Sequence, residues 1–317
     1  MKIHLAPMEG VLDYHMRAIL TDLGGYSHCV TEFVRIIDRL LPNKVFYRYC
    51  PELRRGGQTP SGTPVIVQLL GGIPEAMAEN AHHVAKLGAP GIDINFGCPS
   101  RLVNRKAGGA VLLKEPHRIY DIVRAVRDAV PAHIPVSAKI RLGYDDCQPA
   151  LENAHAVQAA GANYITVHAR TKMDGYKHPA RWEWLAQINE AITIPMIGNG
   201  DINTLDDYRR CCEIGGIQDV MLGRGALANP GLARQIKANT QGEDIEAIAW
   251  PTILALLVQL PELLKPSDIS NGRYITTRLK QWLTYLRSHY DEAQSGFQQV
   301  RAFKDYETII ARLQLHT

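Results

Sequence analysis

Short apolar runs alternate with amphipathic stretches along the first three quarters of the chain. Eight runs, at residues 3–8, 29–34, 64–70, 91–95, 135–142, 164–168, 194–198 and 219–222, have the length and boundaries of buried strands. Between most of them, apolar residues recur every three to four positions, at 75–87, 116–130, 151–160, 182–191 and 205–214, which predicts helices. Pro74-Glu75 and Glu115-Pro116 suit helix starts, and Gly88 and Gly161 suit helix stops. Buried strands separated by helix-length crossovers predict an α/β fold, a (β/α)8 TIM barrel rather than an open sheet. Residues 35–63, rich in Arg, Pro and Gly, depart from the alternation and read as an excursion on the barrel's active face. After about residue 240 strand patterns cease, and 250–264, 274–290 and 298–315 read as helices. The expected division is a barrel domain over 1–240 and a small helical bundle domain over 241–317.

In such a barrel, chemistry sits at the C-terminal ends of the strands. There Asp93-Ile94-Asn95 runs into Phe96-Gly97-Cys98-Pro99-Ser100. Gly97 and Pro99 stop the strand and force a turn that presents Cys98 just past its end. A free cysteine is ordinarily a small buried hydrophobe. Its place between two turn formers, ahead of the glycine-rich 107–110 loop, makes Cys98 a candidate catalytic thiol. Ala6-Pro7-Met8-Glu9 ends the first strand in small, turn-forming backbone that a flat ligand could approach. Gln68, Lys139 and His168 interrupt the third, fifth and sixth strands. Each alone fits a hydrogen-bonded core residue; together at the strand ends of one barrel they point to a site. The seventh and eighth strands end in Asn199-Gly200-Asp201 and Gly223-Arg224. Glycine backbone admits a ligand closely, a guanidinium matches phosphate oxygens, and these two loops usually hold phosphate in this fold. A phosphate there, with Gln68, Lys139 and His168 lining a slot, suits FMN, and Lys139 would offset negative charge on a reduced flavin. No G-x-G-x-x-G follows the first strand, so a Rossmann-type dinucleotide site is not predicted.

At 46% hydrophobic and 21% charged over 317 residues, the composition is ordinary for a soluble enzyme. No run approaches 18 uninterrupted apolar residues and the first residues show no leader pattern, so neither a membrane span nor a signal peptide is expected. The cysteines at 29, 50, 98, 147, 211 and 212 lack C-x-x-C spacing, so no metal site is expected and a reducing cytoplasm fits. A net charge of +3 does not demand nucleic acid. Local clustering says more. Residues 271–290 hold Arg273, Arg278, Lys280 and Arg287 and no acid. Arg273, Lys280 and Arg287 recur every seven positions on one helix face, opposite a core face of Ile275, Leu279, Trp282, Leu283 and Leu286. On spacing alone such a stripe is equally a solvated face or an RNA-binding one.

Taken in order, Leu5-Ala6-Pro7-Met8-Glu9-Gly10-Val11, Thr31-Glu32, Gln68-Leu69, Asn95-x-Gly97-Cys98-Pro99, Gly108-Gly109-Ala110, Lys139 with Arg141, His168-x-Arg170-Thr171, Asn199-Gly200-Asp201 and Gly223-Arg224-Gly225-Ala226 resemble the tRNA-dihydrouridine synthases over the whole barrel. The tail, Arg278-Leu279-Lys280-Gln281-Trp282-Leu283-x-Tyr285-Leu286-Arg287 followed by Tyr290-Asp291-Glu292-Ala293, resembles the subfamily that acts on uridine 16 of the tRNA D-loop. The resemblance implies FMN as cofactor, NADPH as reductant and tRNA as partner. It implies reduction of the C5–C6 double bond of uridine 16, with hydride passing from flavin N5 to C6 and a proton from Cys98 to C5. That role wants Cys98 as a thiol, not a thiolate. Asn95 would hold the edge of a uracil flipped out of its stack. Arg35, Tyr176, Arg278, Lys280, Tyr285 and Arg301 are tRNA-contact candidates through the same resemblance, and with tRNA implied the basic stripe reads as RNA-binding. A monomer is expected. A flavin barrel acting on a free pyrimidine, like the dihydroorotate dehydrogenases, would share fold and cofactor but would not need the basic tail.

Overall fold

The computed structural model describes residues 1–105, 107–264 and 272–315; residue 271, where the basic stretch begins, lies outside them. The strands are β1 (Ile3–Leu5), β2 (His28–Val30), β3 (Val34–Arg35), β4 (Val65–Leu70), β5 (Ile92–Asn95), β6 (Val136–Gly143), β7 (Tyr164–Thr171), β8 (Met196–Asn199) and β9 (Val220–Leu222). They pair in parallel in the order β2-β1-β9-β8-β7-β6-β5-β4-β3, and a further pairing of β2 with β4 closes an eight-stranded barrel, with β3 a two-residue addition beside the end of β4. Between β6 and β7 the register shifts once, between Arg141 and Gly143; Asn95 lies beside Lys139, and His168 beside Arg141 and Asn199.

Around the barrel run α1 (Tyr14–Asp22), α2 (Asn43–Tyr49), α3 (Pro74–Lys86), α4 (Arg101–Asn104), α5 (Pro116–Ala129), α6 (Ala150–Ala159), α7 (Glu183–Ala191), α8 (Leu205–Gly215), α9 (Arg224–Ala228) and α10 (Leu232–Thr240). The helical tail is α11 (Trp250–Leu264), α12 (Gly272–Leu286), α13 (Asp291–Val300) and α14 (Tyr306–Gln314). Outward strand residues such as Leu5, Val67, Ile94, Ile140, Val167 and Leu222 are buried in one apolar core with the helices, and that core continues into Trp250, Leu257, Trp282 and Leu283 of the tail. The inward alternates behave differently. Ala6, Val30, Ile66, Ile197 and Met221 form a small separate plug inside the barrel. Above it the inner surface is polar: Gln68, Asp93, Asn95, Ser137, Thr166, His168 and Asn199 are all buried.

Two expectations are corrected here. Residues 35–63 are not an excursion on the active face. They form the second crossover on the outside of the barrel: α2 and the 3-10 helix Pro51–Arg55 bring the chain to the start of β4, where the Val65 amide donates to the Gly57 carbonyl. A buried ion pair holds this crossover against α1. Arg17 Nε and Nη2 donate to the two carboxylate oxygens of Glu52 at 2.8 and 2.9 Å, and Nη1 and Nη2 also donate to the Leu12 and Tyr49 carbonyls. The helix expected over 298–315 is also divided. The chain leaves α13 at Val300, and Asp305 starts α14 by accepting from the Thr308 amide.

Glu52→Gln should leave the Arg17 guanidinium buried beside a neutral amide. A loss of about 3–5 kcal/mol is expected, read as a lower urea midpoint with an unchanged slope.

Candidate active site at the barrel mouth

The C-terminal strand ends surround a cavity of about 540 Å³, within the usual range for ligand pockets of roughly 300–1,000 Å³. Its wall brings together all of the cofactor candidates: Ala6, Pro7, Met8 and Glu9 after β1, Gln68 on β4, Lys139 on β6, His168 on β7, Asn199, Gly200 and Asp201 after β8, and Gly223 and Arg224 after β9. Asn95, Cys98 and Tyr176 share it, and Tyr285 reaches it from α12.

The turn after β5 is fixed from both sides. Asn95 Oδ1 accepts from the Gly97 and Cys98 amides, each at 2.9 Å. Arg141 Nε donates to the Gly97 carbonyl at 2.8 Å, and the Cys98 carbonyl accepts from Asn104 and from the Ala110 amide. Cys98 is a free thiol, 7% exposed. Burial pushes its pKa up, so at neutral pH it keeps its proton.

Lys139 Nζ donates to Asn199 Oδ1 at 3.0 Å, and Asn199 Nδ2 in turn to the Met221 carbonyl. Burial, with the Arg141 charge beside it, lowers Lys139 to about 8, against the opposing pull of Asp93. It therefore remains mostly cationic at neutral pH. His168 is driven well below its ordinary value, first by burial and then by Arg141, Lys139, Arg170 and Arg224. It is neutral, and since its Nε2 accepts from Arg170 Nη1 at 3.3 Å, its proton sits on Nδ1.

The loops after β8 and β9 meet backbone to backbone: a Cβ on Gly225 would stand 2.1 Å from the Ile202 carbonyl oxygen. Gly200 and Asp201 both have positive φ, 125° and 55°, a turn that a leading glycine permits. The Asp201 carboxylate pairs with Arg170, accepts from the Ala180 amide at 2.9 Å and meets Arg224 at 3.4 Å. Burial alone would raise its pKa; these donors and charges outweigh burial and hold it below the usual carboxylate range. Arg224 is looser, its side chain 44% exposed. Its guanidinium lies 4.7 Å from the ring centre of Tyr176, which Arg141 also approaches at 5.6 Å. Tyr176 is itself 56% exposed at the mouth.

Arg35, Arg278, Lys280 and Arg301 do not line the cavity. Arg35 donates to the Leu102 carbonyl, beyond the cysteine turn. Arg278 was expected to face tRNA, but it is 5% exposed. Its guanidinium donates to the Gly10 and Val11 carbonyls and pairs with Asp13, while Gln281 also donates to Gly10 and the Tyr274 hydroxyl to Asp13. The tail thereby grips the loop that carries Pro7, Met8 and Glu9. Lys280 Nζ donates to the Arg301 and Phe303 carbonyls, closing the end of α13. The basic stripe is thus interrupted at its centre: Arg273, Arg287 and Arg301 are exposed, whereas Lys280 is half-buried and engaged internally. Sequence reasoning also left Asp93, Arg141 and Arg170 without a role. The signal was their spacing, two residues from Asn95, Lys139 and His168, which puts them on the same inward face.

A parallel barrel with a cation-rich polar mouth is the frame of a barrel enzyme. The chain belongs to the dihydrouridine synthase (Dus) family, whose model matches residues 4–314. It is 50% identical over 313 residues to the tRNA-dihydrouridine(16) synthase of Aquipseudomonas alcaligenes, covering 98% of each chain. With the enzyme of the same name from Shewanella oneidensis it shares 49% over 316 residues, 99% of this chain and 98% of the relative. With that from Escherichia coli (strain K12) it shares 47% over 315 residues, again 99% and 98%. A solved old yellow enzyme homologue from Zymomonas mobilis has the same fold, with a TM-score of 0.54 at 13% identity over 79% of this chain and 91% of that one. Among the described residues, no helix is long and apolar enough to cross a membrane, and no cluster of three or more His, Cys, Asp or Glu could hold a metal.

Arg278→Ala should cost about 2–3 kcal/mol, because it removes the buried guanidinium that serves the Gly10 and Val11 carbonyls and Asp13. Arg273→Ala and Arg287→Ala should stay within about 0.5 kcal/mol. Urea unfolding of the three variants checks the contrast.

Proposed function

We propose that this chain reduces uridine 16 in the D-loop of tRNA to dihydrouridine, using FMN and NADPH. The observation that carries the reading is near-full-length identity of 47–50% to proteins named for that reaction. The cavity supports it in chemical detail. Backbone amides at Gly200, Asp201 and Gly223, with the loosely held Arg224, suit a phosphate. Gln68, Lys139 and neutral His168 suit the polar edge of a flat ring, with Ala6–Glu9 as its backbone bed. When bound, FMN supplies the hydride that goes to uracil C6.

The chain's own residues do the rest. Cys98, protonated because it is buried, gives its proton to C5. Asn95 has committed its oxygen to the turn and one amide hydrogen to Gln68, so its remaining N–H serves a uracil carbonyl. Lys139, Arg141 and Arg170 offset negative charge that develops in the cavity. Tyr176 offers a stacking face to a flipped nucleotide. We assign cofactor and chemistry to residues 1–240 and tRNA contact to the mouth and residues 241–317, through Arg35, Tyr176, Tyr285 and Arg301. Arg273 and Arg287 join them, while Arg278 and Lys280 shape the surface from within. The chain works as a cytoplasmic monomer.

Mapping dihydrouridine in tRNA from cells lacking this chain, before and after its restoration, tests the reaction: loss and return at position 16 is expected, and an unchanged position 16 refutes it. Cys98→Ala should still accept hydride from NADPH but reduce tRNA about 10²–10⁴-fold more slowly, which stopped-flow separation of the two half-reactions would resolve. Arg224→Ala should weaken retention of the yellow chromophore by about 10–100-fold, measured as flavin released on dilution.

A further inference from the structure

A single file of hydrogen bonds crosses the barrel beneath the cysteine turn. Ser137 Oγ donates to Asp93 Oδ1 at 2.6 Å, and Gln68 Nε2 donates to Asp93 Oδ2 at 2.6 Å. Asn95 Nδ2 donates to Gln68 Oε1 at 2.8 Å, and Asn95 Oδ1 accepts from the Gly97 and Cys98 amides. Asp93 is 2% exposed and Gln68 fully buried. Both ends of the file are fixed in polarity. Backbone amides can only donate, so Asn95 must turn its oxygen up and its nitrogen down. An ionised carboxylate can only accept, so Gln68 must turn its nitrogen toward Asp93 and its oxygen toward Asn95. The two demands agree at every link.

We propose that Asp93 is a positioning residue that fixes the amide orientations of Gln68 and Asn95 and, through Asn95, the turn that presents Cys98. The consequence is chemical. Each amide keeps one uncommitted N–H, so both side chains meet a ligand as donors, which suits the acceptor-rich edges of a flavin and a uracil. The inference rests on the roles given above to Gln68, Asn95 and Cys98. Burial raises Asp93 to about 6, which still leaves it mainly ionised at neutral pH.

Asp93→Leu removes the acceptor, whereas Asp93→Asn can restore it by turning its oxygen to Gln68 and its NH₂ to Ser137. With bound flavin, Asp93→Leu should lower kcat on tRNA by about 10–100-fold, the cost usual for a lost orienting partner, and shift the visible flavin band. Asp93→Asn should return the band to its wild-type position and stay within about 5-fold of wild-type kcat. If Asp93→Leu yields no folded protein, Asp93→Ser, too short to reach Gln68, should show the same loss. Wild-type turnover and spectrum in Asp93→Leu or Asp93→Ser overturn the proposal. Equal impairment of Asp93→Asn also overturns it, since charge rather than amide orientation would then matter. Cys98→Ala measured alongside separates the two readings: normal tRNA reduction there refutes the assigned site, whereas loss there with normal turnover in Asp93→Leu refutes only the positioning role.

Discussion

Among the described residues, Lys139, Arg141, Arg170 and Arg224 line one cavity, and two carboxylates, Glu9 and Asp201, line it with them. Four cations against two anions leave positive charge unbalanced, and at the buried Arg141 and Arg170 charges interact strongly. Much of the site follows from that surplus. Burial acts first, and the surplus adds to it in keeping His168 neutral and lowering Lys139. It also explains why Asp201 is held between two arginines and why the loosest of the four cations stands beside glycine turns. The protein's own side chains leave that charge balance open.

The second organising feature is the grip of the tail on the loop after β1. Arg278, Gln281 and Tyr274 all end on residues 10–13. The same helix brings Tyr285 to the cavity wall. The tail and barrel share one apolar core, so these contacts act on a fixed platform rather than a hinge between loosely joined parts.

The strands were legible because a parallel barrel buries them on both faces, and short apolar runs between helix patterns have few other readings. Cys98 and the glycine turns were legible because turn chemistry is local. What escaped depended on distant partners. Nothing local to Glu52, in an Arg-rich segment, signals that Arg17, 35 residues away, lies against it. The break between α13 and α14 is set partly by Lys280, which takes up the carbonyls at 301 and 303. Arg278 borders the apolar face of α12, and sequence could not reveal that three groups on another loop wait there for its guanidinium.

The polar lining of the barrel also bears on how such an enzyme can change. Hydrophobic stabilisation lies mainly in the annulus between strands and helices, on side chains that point away from the cavity. The residues that line the cavity occupy the opposite face of the same strands. Substitution inside therefore draws little on the apolar layer that keeps the chain folded, and substitution in that layer leaves the chemistry untouched until the frame itself yields. Neighbouring positions on one strand thus evolve under separate constraints, and new specificities lie within reach of single inward changes without loss of the fold.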